Sequence, residues 1–528
     1  MKHSTLIIKY ITLVFFLKLY IICARAVYQA DYIIVGAGTA GSVLANRLSE
    51  PPHVTVLVLE AGDMAPLTSE IPLIPVNLAF TNYSWQFKSV PSKTIAQGLK
   101  NRQLLTVEGK ALGGTTVLNF NLFVRGDYDN WARHGAIGWD WKSVYPYFLK
   151  LENNREYCNV YHGVGGNVIV QTPPFHAPIT KGYLEAAIEI GYTPGDFNAK
   201  NQTVFQPPQG TVNRGARWSA VKAYINPARG RRNLWILTSA FVHKILIRNK
   251  QAYGVKFEHC GQLHEAYANK EVIICAGVFN SPKLLMLSGI GPKSTLRKFN
   301  IPVVADLPVG RNLQEQPSTF GMAFGANTFT YSARRITLMD FNEFLVNGTG
   351  PLTSLGGVDT IGFVNSKYNN DPDWPNIELL LFSLSGAVKS TGLGSVFNLN
   401  DEVYKTIFEP FTSIDTISCF PYPTRPRSRG YVTIRSRNPC DDPIIDFKFY
   451  SNPHDLKVMV EDRLWWELLD VDERALTCVP GLTGECPLHR SLCPVMRMHG
   501  DFGHWWRTWV RVENCGESAG SFSSERSG

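Results

Sequence analysis

The chain has 528 residues, of which 44% are hydrophobic and 18% are charged, and its formal net charge at pH 7 is +8. This length exceeds what one hydrophobic core usually fills, so we expect at least two domains, and the composition argues against a disordered chain. The charge is small for this size and no long run of like charges occurs, so nucleic acid is not an expected partner.

Residues 1–26 have the pattern of a secretion signal, with a basic Lys2 near the start and an apolar stretch that runs to Cys23. Lys18 interrupts that stretch, so a signal anchor is the weaker alternative. No later segment is apolar over the about 20 residues that a membrane span needs, and no stable membrane span is expected. Three N-glycosylation sequons follow, at Asn82, Asn201 and Asn347. We therefore expect a secreted, extracellular protein.

Residues 31–62 predict a strand, a glycine turn, a helix and a second strand. An apolar run of strand length leads into Gly36, Gly38 and Gly41, which stand in G-x-G-x-x-G spacing. The first glycine permits a tight turn, the second lets the backbone approach a pyrophosphate, and the third lets the helix pack on the strand. Glu60 ends the second strand about 20 residues later, where a carboxylate accepts a ribose hydroxyl. This combination predicts a dinucleotide-binding unit.

A second glycine turn lies within residues 108–122. Gly113 and Gly114 are adjacent and precede two hydroxyl residues, Thr115 and Thr116. Such a turn lets the backbone approach a planar or anionic ligand, although a helix-capping turn has a similar composition. From the residues alone we favour ligand contact over a capping role.

The remaining sequence separates into two patterns. Helical periods cover residues 141–152, which we expect to pack in the core, and residues 179–190. Strand periods cover residues 241–247, 255–258 and 270–277. From residue 301 to about 453, short separated strands favour an antiparallel sheet with one or two helices.

Two long motifs, at residues 109–131 and 276–292, resemble those of the glucose-methanol-choline (GMC) oxidoreductases, which are flavoproteins. The N-terminal glycine unit, Gly215-Ala-Arg-Trp-Ser and residues 306–313 occur in the family's order. The resemblance extends from about residue 30 to about residue 460. With the secretion signal, the chain looks most similar to the insect glucose dehydrogenase-like branch of the family.

The resemblance implies FAD as the dinucleotide, a choice that the glycine spacing leaves open, and it disfavours an NAD-dependent dehydrogenase. It also implies the fold class, an α/β FAD-binding Rossmann-like domain plus an α+β substrate-binding domain with an antiparallel sheet. We expect the first domain to comprise residues 27–155 and 210–312, and the second to comprise residues 156–209 and 313–460.

The resemblance also implies a set of cofactor-binding residues. The ADP half of FAD would be held by Gly36, Gly38, Gly41 and Glu60. The flavin and its pyrophosphate would be lined by Gly113, Gly114, Thr116, Asn119 and Leu122. The backbone of Val242 would pair with the adenine.

Family members oxidise an alcohol carbon: a base removes the hydroxyl proton while hydride passes to the flavin, which a quinone or oxygen later reoxidises. The resemblance therefore implies an FAD-dependent alcohol or sugar dehydrogenase. Its partners would be a small-molecule alcohol or sugar substrate and a quinone or oxygen as electron acceptor.

Residues 461–528 depart from the family, whose continuation holds a His-Pro-Val-Gly-Thr segment with the catalytic histidine and a Gly-Asn-Thr-Asn-Ala-Pro strand. Neither occurs here, and the segment carries five of the twelve tryptophans and four of the ten cysteines. This composition indicates an aberrant or disordered tail. No catalytic residue is assigned, and no metal site is expected because Cys478, Cys486, His489 and Cys493 lack the paired spacing of structural zinc sites.

Two further expectations follow from these departures. An enzyme without that segment should be impaired, and a catalytically inactive secreted binding or scaffold protein with the GMC fold is the alternative. Within the resembling part, Glu108 stands where an arginine is usual.

Overall fold

The computed structural model describes residues 28–460 apart from residues 127, 320–322, 327, 332–334, 384–397 and 410–411. The expected secretion signal and the divergent segment 461–528 lie outside the described residues. The strands are β1 (Tyr28–Val35), β2 (Val56–Leu59), β3 (Ser84–Lys88), β4 (Leu105–Gly109), β5 (Glu152–Asn154), β6 (Val168–Val170), β7 (Phe205–Gln206), β8 (Val212–Asn213), β9 (Ala216–Arg217), β10 (Leu234–Leu237), β11 (Ala240–Arg248), β12 (Gln251–His259), β13 (Gln262–Ile274), β14 (Arg311–Leu313), β15 (Ala323–Gly325), β16 (Val358–Val364), β17 (Ile377–Phe382), β18 (Thr416–Pro423), β19 (Gly430–Thr433) and β20 (Ile444–Asp446). The helices are α1 (Thr39–Leu48), α2 (Asp129–Arg133), α3 (Trp141–Leu151), α4 (Ile179–Glu189), α5 (Asn226–Ala228), α6 (Gly277–Leu287), α7 (Lys293–Lys298), α8 (Leu338–Asn347), α9 (Asp401–Val403) and α10 (Pro453–Val460).

A six-stranded mixed sheet, in the order β10-β2-β1-β13-β12-β11, carries the predicted dinucleotide unit. β10, β2, β1 and β13 are parallel, and β13, β12 and β11 form an antiparallel meander. Alternate residues of β1 pack into two different cores, with Ile33 in one and Ile34 in the other. Because both faces of the sheet are covered, all four residues of β2 are buried, as its continuous apolar sequence requires.

A second sheet is antiparallel and has the order β15-β18-β17-β16-β7. In β17, Leu379 and Leu381 face one core, while Leu380 and Phe382 face the other. This alternation is the expected consequence of the two-residue period of a strand. The two sheets agree with the expected fold class, whereas the domain boundaries stay a prediction.

The helix α3 begins and ends where its period predicts, but the expectation that it packs in the core is wrong. None of its residues is buried, and the Tyr147 side chain is 68% exposed. Its aromatic residues instead pack against each other and against a neighbouring loop at the surface, with ring centroids 4.9 Å apart for Trp141 and Tyr145 and 5.2 Å apart for Tyr128 and Phe148. A helical period shows that a helix has an apolar face, but it does not show how deeply that face is buried.

In the described part of the chain, no helix combines the length and the apolar character needed to cross a membrane.

A buried network of charged residues joins β5 to the loops that follow residues 121, 158 and 195. The Glu152 carboxylate, at its centre, accepts hydrogen bonds from the Arg125 guanidinium and from the backbone N–H of Gly163, and its other oxygen lies 2.9 Å from His162 Nδ1. His162 Nε2 lies 2.7 Å from Asp196 Oδ2. Burial opposes protonation of His162, but the hydrogen bonds to Asp196 and Glu152 outweigh burial and raise its pKa to about 9.

The raised pKa of His162 predicts a loss of stability at alkaline pH. Because this pKa lies above the ordinary value of 6.5, the stabilisation is complete below about pH 6.5 and is lost as the pH rises through about 9. The expected loss is about 3 kcal/mol in the free energy of unfolding. Urea unfolding between pH 6 and pH 10 measures it, and a His162→Gln variant should show a flatter profile. An equally steep profile in that variant would contradict the assignment.

Candidate functional site

The first glycine turn lies where β1 ends, between the ends of β2 and β13. Gly36 has φ +96°, a left-handed conformation that glycine adopts without strain, and a Cβ there would overlap the Cys275 carbonyl oxygen. A Cβ on Gly41 would overlap the Gly36 carbonyl oxygen and would lie 3.3 Å from Ile34 Cγ2. Both glycines are therefore required by close packing within the protein, and they bring helix α1 directly against β1.

The N-terminus of α1 is left open. Gly38 is the N-cap residue and supplies no side-chain cap, and the first turn contains no acidic residue. Thr39 and Ala40 line an adjoining cavity. The first N–H groups of a helix have no partner inside the helix, and together with the helix dipole they favour an anion. This end of α1 fits a pyrophosphate.

Glu60 follows β2 and is buried beside the turn. Its Oε2 accepts a hydrogen bond of 2.7 Å from the N–H of Ala37, and its Oε1 accepts one of 2.9 Å from the N–H of Gly62. Burial raises the pKa of the Glu60 carboxyl, and the N–H groups of Gly62 and Ala37 act in the opposite direction. The carboxyl thus holds the glycine turn in shape while it also lines the cavity, where each oxygen keeps a lone pair for a ribose hydroxyl.

The second glycine turn packs directly on the first. Gly113 and Gly114 both have positive φ, +99° and +55°, and a short 3-10 turn, Gly114–Val117, follows. The N–H of Gly113 donates a hydrogen bond of 2.9 Å to the carbonyl of Ala37. A Cβ on Gly114 would lie only 2.6 Å from the Cα of Gly38. The two predicted turns are therefore parts of one site.

A cavity of about 400 Å³ begins at these turns and runs along the carboxyl ends of the parallel strands. This is where open α/β sheets bind ligands. Gly36, Gly38, Glu60, Gly114 and Val242 all line the cavity. Val242 lies on β11, which is an edge strand of the sheet in the described part of the chain, so one side of its backbone has no described strand beside it and can meet a ligand. The donors, the acceptors and the shape of this cavity fit an adenine dinucleotide.

Five predicted cofactor residues lie beside the cavity rather than in its wall: Gly41 and Gly113, whose packing is described above, and three more, Thr116, Asn119 and Leu122. The Thr116 hydroxyl donates to the Gly113 carbonyl at 2.6 Å and accepts from the Ala220 N–H at 3.1 Å, so it stabilises the turn. Asn119 is half-buried just beyond the turn, and Leu122 packs against the core of the antiparallel sheet. Direct contact of these three residues with a cofactor stays a prediction.

Glu108 lines the cavity and is absent from the predicted site residues. Its Oε1 accepts a hydrogen bond of 3.3 Å from the Val278 N–H, at the start of α6. Burial raises the pKa of Glu108 to about 7, the Val278 hydrogen bond opposes this rise, and the Glu315 carboxylate adds to it. The sequence marks residue 108 as unusual, because Glu108 stands where the family usually has an arginine. The sequence alone does not show that this residue lies in the cavity.

The residues that the structure describes contain no candidate metal site, since no group of three or more His, Cys, Asp or Glu side chains is placed to hold an ion. The cysteine and histidine cluster at residues 478–493 lies outside them.

Comparison with known proteins gives matches over most of the chain. Two sequence profiles, both described as GMC oxidoreductase, match residues 30–318 and residues 426–464. A glucose dehydrogenase [FAD, quinone] from Drosophila melanogaster is 34% identical over 445 residues, which cover 82% of this chain and 69% of the relative. An oxygen-dependent choline dehydrogenase from Brucella melitensis is 34% identical over 441 residues, which cover 81% of this chain and 75% of the relative.

Solved structures show the same fold. A formate oxidase from Aspergillus oryzae, in a structure that concerns its FAD modification, is similar with a TM-score of 0.72 and 25% identity, covering 84% of this chain and 82% of the oxidase. These comparisons confirm the expected fold class and the expected FAD cofactor. With profile matches over more than half of its length, this chain belongs to the GMC oxidoreductase family.

Proposed function

We propose that this protein is an FAD-dependent oxidoreductase that acts on the CH–OH group of an alcohol or a sugar. The observation that carries the proposal is the junction of two glycine turns at one cavity, with Glu60 bound to the first turn. FAD, when bound, would supply the hydride acceptor, which amino-acid side chains do not provide.

The described residues would hold and orient this cofactor. The open N-terminus of α1 would bind the pyrophosphate, Glu60 would accept a ribose hydroxyl, and the free side of the β11 backbone at Val242 would meet the adenine. The second glycine turn, residues 113–117, would lie beside the flavin and is called the flavin turn below. Phe120, just beyond it, links this turn to the antiparallel sheet, because its ring packs against Phe382 with centroids 6.0 Å apart. The resemblance to the family then implies that the substrate would lie between that sheet and the flavin turn.

The proposed acceptor is a quinone or oxygen, since the names of the relatives include one or the other. We also propose that the protein is secreted. The asparagines of all three sequons, Asn82, Asn201 and Asn347, are exposed, as glycosylation requires. Expression in insect cells tests secretion: protein retained inside the cells without glycans would contradict it.

The test of the function is flavin absorbance of the purified full chain, followed by anaerobic addition of alcohols and sugars. Stoichiometric FAD that is bleached by an alcohol or sugar supports an active dehydrogenase and contradicts the expected impairment. Weak FAD binding or slow bleaching supports an impaired enzyme. Absence of FAD under all refolding and loading conditions would overturn the proposal.

A secreted scaffold protein without turnover is a second candidate, favoured by the loss of family resemblance in residues 461–528. Full FAD occupancy without bleaching by any alcohol or sugar would support it. The other reading frames of the coding DNA beyond Glu461 provide a second test. His-Pro-Val-Gly and Gly-Asn-Thr-Asn in another frame would indicate that the gene encodes an enzyme.

Glu108 predicts a pH dependence of FAD binding. The carboxyl is neutral below about pH 7 and negative above it, and its charge repels the pyrophosphate in the shared cavity. We expect FAD affinity to fall about tenfold between pH 6 and pH 8.5, the effect of about 1.4 kcal/mol of repulsion.

Fluorescence titration of FAD across this pH range measures the effect. Glu108→Gln should remove the pH dependence and Glu108→Arg should tighten binding at pH 8.5. Glu50→Gln is the matched control because Glu50 is an exposed glutamate just beyond the C-terminal end of α1, is paired with Arg47 and does not line the cavity. A pH dependence retained by Glu108→Gln would assign it to another group.

A further inference from the structure

Among the residues that the structure describes, Arg217 is the largest fully buried side chain, with 1% of its surface exposed. It lies on β9, in the hairpin β8–β9 that packs on the flavin turn. Its Nε donates to the Ser69 carbonyl at 2.7 Å, and its Nη1 donates to the Thr116 carbonyl at 3.2 Å and to the Asn119 carbonyl at 2.8 Å. Each of these acceptors is an uncharged backbone oxygen.

No carboxylate of the described residues lies within ion-pair distance of this guanidinium. Glu70 is the acidic residue whose charge acts on the Arg217 guanidinium, but the Glu70 carboxylate forms an ion pair with Lys222. Lys222 also donates to the Arg217 carbonyl at 2.7 Å. The cluster of Arg217, Lys222 and Glu70 therefore keeps one unbalanced positive charge, which is costly in a buried position unless a ligand balances it.

Arg217 Nη2 is also buried and has no hydrogen-bond partner among the described residues, which leaves the guanidinium charge incompletely compensated. Arg217 does not line the cavity, so we expect it to act on a ligand there through its charge and through Asn119 rather than by direct contact.

Arg217 also determines which atom of Asn119 is free. Asn119 Oδ1 accepts from Arg217 Nη1 at 2.8 Å and from the Asn121 N–H at 3.2 Å. Both neighbours are donors, so the atom that faces them must be the amide oxygen. Asn119 Nδ2 then points elsewhere, and no described residue accepts from it. Because Asn119 is half-buried, this donor is accessible to a ligand.

We propose that Arg217 is a positioning residue for the cofactor: it fixes the Asn119 amide so that Nδ2 donates to bound FAD, and its unbalanced charge favours the reduced, more negative form of FAD. This inference rests on the proposed function. In this proposal the balancing negative charge is that of the flavin ring after reduction. A charge balanced by the pyrophosphate, which is anionic in both redox states, would leave the potential unchanged.

The experiment measures FAD affinity and the midpoint potential of bound FAD for the full chain and for Arg217→Lys and Arg217→Gln. In Arg217→Gln the ratio of the affinities for reduced and oxidised FAD should fall about tenfold. For a two-electron couple, this fall shifts the midpoint potential by about 30 mV to more negative values. Arg217→Lys keeps the charge and loses the planar set of donors, so its potential should stay close to the parent's while its FAD affinity falls about tenfold. If the affinities for oxidised FAD and for ADP fall together in Arg217→Gln while the potential stays at the parent's value, the charge acts on the pyrophosphate and the proposed preference for reduced FAD is overturned.

Arg125→Gln is the matched control, because Arg125 is also a buried arginine but has a carboxylate partner in Glu152. It should lose stability without a change in potential or FAD affinity. A double-mutant cycle tests the route through Asn119: Arg217→Lys should add little to the affinity loss of Asn119→Ala, since both remove the same donor. This cycle serves as the test if Arg217→Gln does not fold.

The outcomes separate the two levels of inference. Suppose that the parent binds FAD. If Arg217→Gln then leaves both the potential and the affinity unchanged, or if Arg125→Gln changes them as much, the role of Arg217 is overturned and the proposed function stands. Additive losses in the cycle overturn the route through Asn119. If the parent binds no FAD, the proposed function fails and this inference fails with it.

Discussion

Replacing Gly38 with alanine should reduce FAD affinity at least tenfold, about 1.4 kcal/mol, while the protein stays folded. The backbone of Gly38 has φ −71°, which alanine adopts readily, and a Cβ would lie 3.8 Å from the Cα of Gly114, an ordinary contact. The protein itself therefore accepts the methyl group. The cofactor does not, because Gly38 lines the cavity at the open end of α1, where the backbone must approach the pyrophosphate.

The neighbouring Gly41→Ala change should have the opposite signature. Its Cβ would overlap the Gly36 carbonyl oxygen, so α1 must move away from β1. We expect a loss of about 3 kcal/mol in unfolding free energy, at the upper end for overpacked sites, and the loss of FAD binding as a secondary effect.

Gly230→Ala serves as the control, because no atom lies within 4 Å of its Cβ position. Chemical unfolding and FAD titration of all three variants provide the test. Equal destabilisation by Gly38→Ala and Gly41→Ala would contradict the separate roles assigned to these glycines.

Glu152→Ala should destabilise the protein by about 3–5 kcal/mol, the range for breaking a buried ion pair. Glu152 is fully buried, and its removal leaves the Arg125 guanidinium and the protonated His162 without their shared anion. Glu152→Gln keeps the shape and part of the hydrogen bonding, so its loss should be intermediate.

Glu185→Ala is the matched control, since the 3.4 Å pair between Lys181 and Glu185 has side chains that are 83% and 59% exposed. An exposed pair of this kind contributes less than about 1 kcal/mol. Urea unfolding at pH 7 compares the variants. If Glu152→Ala were as stable as Glu185→Ala, the network would contribute nothing to the fold.

The sequence predicts the local parts of the site well, because their chemistry lies within short segments. The spacing of Gly36, Gly38 and Gly41 determines a tight turn and a close helix contact, and the structure shows both. The number of residues between the glycines and Glu60 predicts that Glu60 belongs to the same site. What it binds, the N–H groups of Ala37 and Gly62, is a detail of the folded turn.

Contacts between distant segments could not be predicted in this way. The network of Arg125, Glu152, His162 and Asp196 joins loops whose order in the chain carries no periodic signal. The same applies to Glu108, whose hydrogen bond to Val278 connects positions 170 residues apart. The unusual residue at position 108 was visible in the sequence, but its placement in the cavity depends on the assembled sheet.

The contact between Gly38 and Gly114 has a consequence for evolution and for library design. Two turns from separate motifs meet backbone to backbone, so a side chain added to the second turn collides with the first, whichever residue the first contains. Selection must therefore keep glycine at 114 whatever residue occupies 38, and a saturation library screened for cofactor retention should recover no substitution at 114 that is rescued by a change at 38.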